Sequence, residues 1–136
     1  IFAKPRLEDH DALEFGNQVK LKATGLRQPV LELSGGNQQK VVFARAIGGY
    51  PRILLLDDPT RGVDVGAKYE IYLLVRSLSA SGCAVILTST DLQEVLGICD
   101  RIIVMQNGRQ AHLLENNGMT SANLLSYFYA TSEAVI

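Results

Sequence analysis

The sequence predicts an α/β fold: a mostly parallel sheet flanked by helices, with part of a helical subdomain on its amino-terminal side. Three observations carry this expectation. Two continuously apolar runs of strand length, "RILLL" and "AVIL", lack the alternation of a half-exposed strand and suit a parallel sheet buried on both faces. Helical periodicity fills the stretches between them. The middle of the chain then reads helix, strand, helix, strand, helix, strand, the alternation that builds parallel sheets.

Taken in order, residues 1 to about 33 are polar and partly helical, punctuated by Pro5, Gly16, Gly25 and Pro29. From Asn37 to Ile47 the apolar residues Val41, Val42, Ala44 and Ile47 indicate a helix, which Gly48-Gly49 and Pro51 should end. "RILLLD" is the first strand. In "GAKYEIYLLVRSLSASG", Ile71, Leu74, Val75 and Leu78 fall at i, i+3, i+4 and i+7, an amphipathic helix that Gly82 stops. "CAVILTS" is the second strand, and "TDLQEVLGICD" a helix that Thr90 or Asp91 can cap. "RIIVMQ" and "RQAHLL" flank Asn107-Gly108, the preferred pair for a tight hairpin turn, and this hairpin is expected to close the sheet edge. "TSANLLSYFYA" is a final short helix, with Tyr127, Phe128 and Tyr129 read as packing residues.

Composition narrows the function classes. The chain has 136 residues, 47% hydrophobic and 20% charged, which is ordinary for one globular domain with a real core. A formal net charge of -1 gives no general electrostatic reason to bind nucleic acid or an anionic membrane. No apolar run reaches the length of a membrane span. Cys83 and Cys99 form no CxxC pair, and Cys83 in an apolar strand reads as a buried, reduced thiol, pointing to a cytosolic environment. His10 and His112 have no ligand-like neighbours in sequence and read as surface or structural residues.

Two short stretches carry chemistry. In "LSGGNQQK", Ser34, Gly35, Gly36 and Asn37 stand where a helix begins. Glycines let backbone approach a ligand closely, and a helix amino end offers unpaired N–H groups and partial positive charge. A hydroxyl from Ser34 and an amide from Asn37 or Gln38 complete an uncharged surface suited to phosphate. The plainer reading, a serine cap followed by a turn, stands beside it. In "ILLLDDPTRGVD", an apolar strand delivers Asp57 and Asp58 at its tip, and Pro59 ends the strand. Paired carboxylates there call for a nearby cation, and a magnesium ion (Mg) on nucleotide phosphates suits them. Two solvated turn aspartates are the alternative.

In this order the motifs resemble those of the ATP-binding cassette ATPases, a branch of the P-loop NTPases. "LSGGNQQK" is similar to their signature motif, with Asn37 where glutamine is commoner; "ILLLDD" is similar to Walker B; "TRGVD" falls at the D-loop, ending in Asp64; and "LTSTD" places Thr90 at the switch-histidine position. The resemblance runs from about Leu31 to Leu114. "LSGGNQQK", "DDPTRGVDVGAKYEIY" and "EVLGICDRIIVMQNG" resemble most closely the carboxyl-terminal cassette of bacterial monosaccharide importers. The resemblance implies ATP and Mg as cofactors, Asp57 as metal ligand, Asp58 and Thr90 in the catalytic positions, and Ser34, Gly35, Gly36, Asn37 and Asp64 at the nucleotide and cassette interface. It also implies partners: an amino-terminal cassette of the same protein or a second ATPase, membrane permease subunits and, indirectly, a periplasmic sugar-binding protein. The place implied is the cytoplasmic face of the inner membrane. For Asp64, capping of the following helix is an equal alternative. Arg61 is assigned no role.

Three departures qualify the resemblance. No G-x-x-x-x-G-K-[ST] phosphate loop is present, and only 33 residues precede Ser34. The chain, starting at Ile1 without methionine, is therefore expected to be the back part of a cassette: residues 1–50 from the helical, signature-bearing subdomain and 51–136 from the carboxyl-terminal part of the ATPase core. Asp58 replaces the glutamate that polarises the attacking water. It reaches about 1.5 Å less, and a misplacement of about 1 Å can cost on the order of a hundredfold in rate. Thr90 cannot carry an imidazole's charge or proton. Both changes weaken the site built on this chain's own Walker B. Two rival functions remain: an ATPase of the same family acting on nucleic acid, which the balanced charge and the "TRGVDVGAK" wording oppose, and a non-catalytic module that completes a partner's site.

Overall fold

A computed structural model describes residues 5–129 of the chain. They divide into two compact units on either side of the Thr88–Ser89 boundary, each considered by itself. The α/β class holds: a parallel strand pair with helices lies in the first unit, and an antiparallel pair with helices in the second.

The first unit opens with α1 (Pro5–Gln18). Proline suits a first turn, where its missing N–H is no loss. The helix closes on a pair of capping bonds, Leu21 N–H to Gly16 O and Lys20 N–H to Asn17 O, with Lys20 held at φ +52° where glycine is usual. A single 3-10 turn (Val30–Glu32) leads to α2 (Gly35–Ile47). Its buried face is Gly36, Lys40, Phe43 and Ile47. The sequence placed the apolar stripe on Val41, Val42, Ala44 and Ile47; Val42 is in fact exposed, because a buried lysine and a glycine contact set the helix phase. The glycine pair ends α2 as expected, yet Tyr50 is the residue that takes positive φ, +47°.

β1 (Ile53–Asp57) and β2 (Ala84–Thr88) pair in parallel, Leu54 opposite Val85 and Asp57 opposite Thr88. Between them runs α3 (Val65–Ala80), capped by Asp64 and ended by Gly82 at φ +95°, with Cys83 N–H bonding Leu78 O. Ile71 and Val75 are buried, as the periodicity predicts, and Leu74 and Leu78 are half-buried. Burial of the strands on both faces is not seen: Ile53, Leu55 and Ile86 are 61%, 72% and 58% exposed. Side chains alternate across a strand, and among the described residues only the face bearing Leu54 is covered. Cys83 precedes β2 and is half-buried, a correction to its expected burial in the strand; both cysteines are unbridged.

The second unit holds α4 (Leu92–Ile98), β3 (Arg101–Gln106), β4 (Arg109–Glu115) and α5 (Ser121–Tyr129). Asn107 and Gly108 both take positive φ, +50° and +72°, the tight turn the pair predicts. The hairpin is a two-stranded sheet of its own, where the sequence suggested a closing edge, and carries an irregularity at Val104/Met105. Ile102, Val104 and Leu124 form its core, with Leu92, Leu96 and Tyr127 packed around them. Tyr127 stacks edge-on to His112, whose Nε2 is buried, whereas Tyr129 is exposed. Ala130, the expected last residue of this helix, lies outside the described residues. No described helix is long and apolar enough to cross a membrane.

Candidate functional site

Ser34 begins the candidate site. It sits in extended conformation at the N-cap of α2, and its Oγ accepts from Asn37 N–H (3.4 Å) and Asn37 Nδ2 (3.0 Å). The cap is thus real, and so is the opening beyond it. Ser34 and Gly35 are exposed, and the first amides of α2, on Gly35 and Gly36, have no acceptor within the helix. Asn37 is turned inward: its Oδ1 accepts from Lys22 N–H at 2.9 Å. In this arrangement its amide orients Ser34 and the 20–22 turn, while Ser34 and Gly35 stay exposed and Gly36 is buried.

The two glycines are not equivalent. A Cβ on Gly35 would meet only Gly62 O, at 3.7 Å, whereas one on Gly36 would lie 2.5 Å from the Ala67 Cβ on α3. Gly36 is what lets α2 approach the start of α3. Gln39 Nε2 donates to Pro59 O at 2.7 Å, and Lys40 Nζ donates to Lys20 O at 3.0 Å and to Glu70 Oε2. The Lys40 bond and charge, aided by Lys22 and Lys20 and opposed by desolvation, hold the Glu70 carboxyl below its usual range. The first turns of α2 and the 59–70 segment therefore form one block.

The acids lie at the tip of β1. Thr88 Oγ1 donates to Asp57 Oδ1, and Asp57 Oδ2 has no hydrogen-bond partner among the described residues. Asp57 is exposed. One free carboxylate oxygen at a strand tip fits Mg, which takes one or two carboxylates and fills its remaining positions with phosphate and water. No group of three or more ligand-type residues is gathered among those described, so the protein share of such a site is small. Asp58 is held in the left-handed region at φ +44°, its N–H bonded to Thr88 O and its carbonyl to Arg61 N–H, both at 3.0 Å. Strain at a non-glycine residue persists only where surroundings impose it; here β2 on one side and buried Pro59 and Thr60 on the other do so. Asp64 Oδ1 accepts from Ala67 N–H at 3.0 Å, so the capping role is realised.

Ser34, Gly35, Gly36, Asn37, Asp57, Asp58 and Asp64 thus share the first unit. Thr90 belongs to the second, and is exposed.

Comparisons with known proteins bear on this geometry. A sequence profile described as "ABC transporter" matches residues 6–61. The ribose import ATP-binding protein of Geobacillus kaustophilus is 45% identical over 91% of the chain, and that of Lactococcus lactis 50% identical over 82%. These matches support an ATP-binding cassette ATPase resembling the monosaccharide importers. A xylose import ATP-binding protein of Geobacillus kaustophilus is 45% identical over 88% of the chain. The chain spans about a quarter of these relatives, 25%, 23% and 24% of their lengths. Among solved structures, the ATP-binding cassette MJ0796 in a dimeric post-hydrolysis state bound to ADP and Pi superposes with a TM-score of 0.73 at 26% identity, covering 88% of this chain and 51% of that one. The ADP conformation of MJ1267 gives 0.75 at 25% identity, with 95% and 52% covered.

Two cassette residues escaped the sequence reading. Lys40 is one: its burial depends on Glu70, 30 residues on, and no local pattern announces that pairing. Glu94 is the other, only 1% exposed. "DLQE" from Asp91 has the form of a capping box. Instead of bonding the cap's own N–H, Glu94 accepts from Ser89 Oγ, which accepts from Asp91 N–H at 3.0 Å. This relay braces the segment that carries Thr90.

Proposed function

We propose that the chain supplies the signature and Walker B parts of the ATP-hydrolysing subunit of a bacterial sugar importer, within a longer protein carrying further cassette sequence. The observation that carries this is the start of α2, where Ser34 and Gly35 are exposed and the Gly35 amide has no acceptor within the helix, in the same unit as a strand ending in Asp57. The ribose and xylose importers among the relatives indicate a monosaccharide as cargo. The dimeric cassette neighbour supports pairing with a second cassette, either the amino-terminal one or another ATPase. Permease subunits at the cytoplasmic face of the membrane, served by a periplasmic sugar-binding protein, complete the assembly. In this assignment residues 1–50 are the helical, signature-bearing part and 51–136 the carboxyl-terminal part of the core.

Phosphoryl transfer to water relies on positioning and electrostatic stabilisation more than on covalent help. The neutral start of α2 does this by donating hydrogen bonds to the terminal phosphate of a nucleotide held by the partner cassette. Asp57 would hold Mg, which when bound neutralises charge developing on the phosphates. Asp58 and Thr90 occupy the positions for orienting water and sensing phosphate. Their short reach and lack of imidazole make this cassette's own site the slower of the two. Asp64 lies at the cassette interface while capping α3.

In the intact transporter, Ser34→Ala should lower ATP turnover about tenfold or more, as expected on losing a transition-state donor, whereas Asp58→Asn should lower it less than about threefold. Steady-state ATPase assays on reconstituted transporter check this. Equal losses would remove the asymmetry, and an unaffected Ser34 variant would remove the proposed function.

A further inference from the structure

Lys40 is 3% exposed in a helix whose other buried residues are uncharged. Taking an ammonium out of water is unfavourable unless it is paired and hydrogen-bonded, and a hydrophobic residue of similar volume often serves stability as well. A buried lysine therefore calls for a reason beyond packing, and its partners supply one. Its Nζ reaches two elements at once: Glu70 on α3, and the carbonyl of Lys20, which the α1 terminus presents through a left-handed residue. One turn before Lys40, Asn37 takes the N–H of Lys22 from the same turn, and Gly36 abuts Ala67, one turn before Glu70. Gln39 adds Pro59 O. The amino end of α2 is thus fixed at the Gly36–Ala67 approach and again at Lys40–Glu70, and two contacts spaced along a helix pair fix both tilt and rotation. Rotation is what decides where the Gly35 and Gly36 amides point.

We propose that Lys40 is a positioning residue: its bridge to Glu70 and Lys20 O sets the orientation of the Ser34–Gly36 donors and ties them to the 59–64 segment that follows the paired aspartates. The effect on turnover rests on the proposed ATPase function; the effect on geometry does not. Glu70, held in its charged form by Lys40, keeps the bridge intact at neutral pH.

The test uses the intact ATPase carrying Lys40→Met, Lys40→Arg or Glu70→Gln, read by hydrogen exchange and by ATP turnover. In Lys40→Met, peptides spanning 33–41 should exchange at least about tenfold faster while those spanning 53–57 and 84–88 keep wild-type rates. The kcat should fall about tenfold with KM for ATP within about twofold, since Lys40 touches no nucleotide. Lys40→Arg should restore most of both, and Glu70→Gln should give the same pattern at smaller size. Unchanged exchange over 33–41 in Lys40→Met and Glu70→Gln overturns the proposal. If Lys40→Met exchanges faster everywhere, Glu70→Gln decides instead: a loss of kcat that only tracks its unfolded fraction also overturns the proposal, and a loss beyond that fraction upholds it. A wild-type protein without ATPase activity sinks the functional reading, and the exchange pattern then decides the positioning role alone.

Discussion

Gly35 and Gly36 are neighbours under different constraints. Their glycine character was legible because a phosphate-facing helix start favours glycine, yet only the structure separates them. Gly36 is committed to packing against Ala67, whereas a Cβ on Gly35 would meet Gly62 O only at an ordinary contact distance, 3.7 Å. Gly36→Ala should destabilise the chain by about 1–3 kcal/mol, the usual cost of forcing a methyl into a filled contact. Gly35→Ala should stay within about 0.5 kcal/mol, as expected away from such contacts. Denaturant melts of the two variants check this, and equal losses would mean that α2 and α3 do not meet there. The acids were legible as a pair at a strand tip, but the left-handed backbone of Asp58 was not. An aspartate before proline is ordinarily extended, and it is the surrounding bonds from Thr88 and Arg61 that override the preference.

Element boundaries were legible where a local signal marks them: Ser34 and Asp64 as caps, Gly82 as a stop, Asn107-Gly108 as a turn. The rotation of α2 was not, because Lys40 reads as a solvent-facing residue until Glu70 is brought to it. That bridge gives the α2–α3 pair a pH dependence. The Glu70 carboxyl is lowered by Lys40 in the folded chain, so the unfolded chain takes up the proton first as acid is added. The stabilisation is full above the ordinary glutamate range, about pH 4.3, and is lost as pH falls through the lower folded value. Between about pH 5 and about pH 3, the melting temperature of Glu70→Gln should therefore fall less steeply than that of the wild type. Parallel slopes would show that the bridge makes no contribution to folding.

At the scale of the whole molecule, the alternation of helices and apolar runs was enough for the fold class. It was not enough for burial: continuous apolarity says that a strand suits two covered faces, not that this chain covers both. Ile53, Leu55 and Ile86 remain exposed among the described residues, and the hairpin forms its own sheet. In the function proposed here the site is likewise distributed, because the start of α2 would serve a nucleotide held by another cassette. The most direct measurement is a structure of the intact ATPase trapped with a non-hydrolysable ATP analogue. The account predicts Ser34 Oγ and the Gly35 or Gly36 amide at hydrogen-bond distance, about 3 Å, from the terminal phosphate of a nucleotide seated on another cassette. A closed assembly in which those donors face solvent, or meet no phosphate, would contradict it.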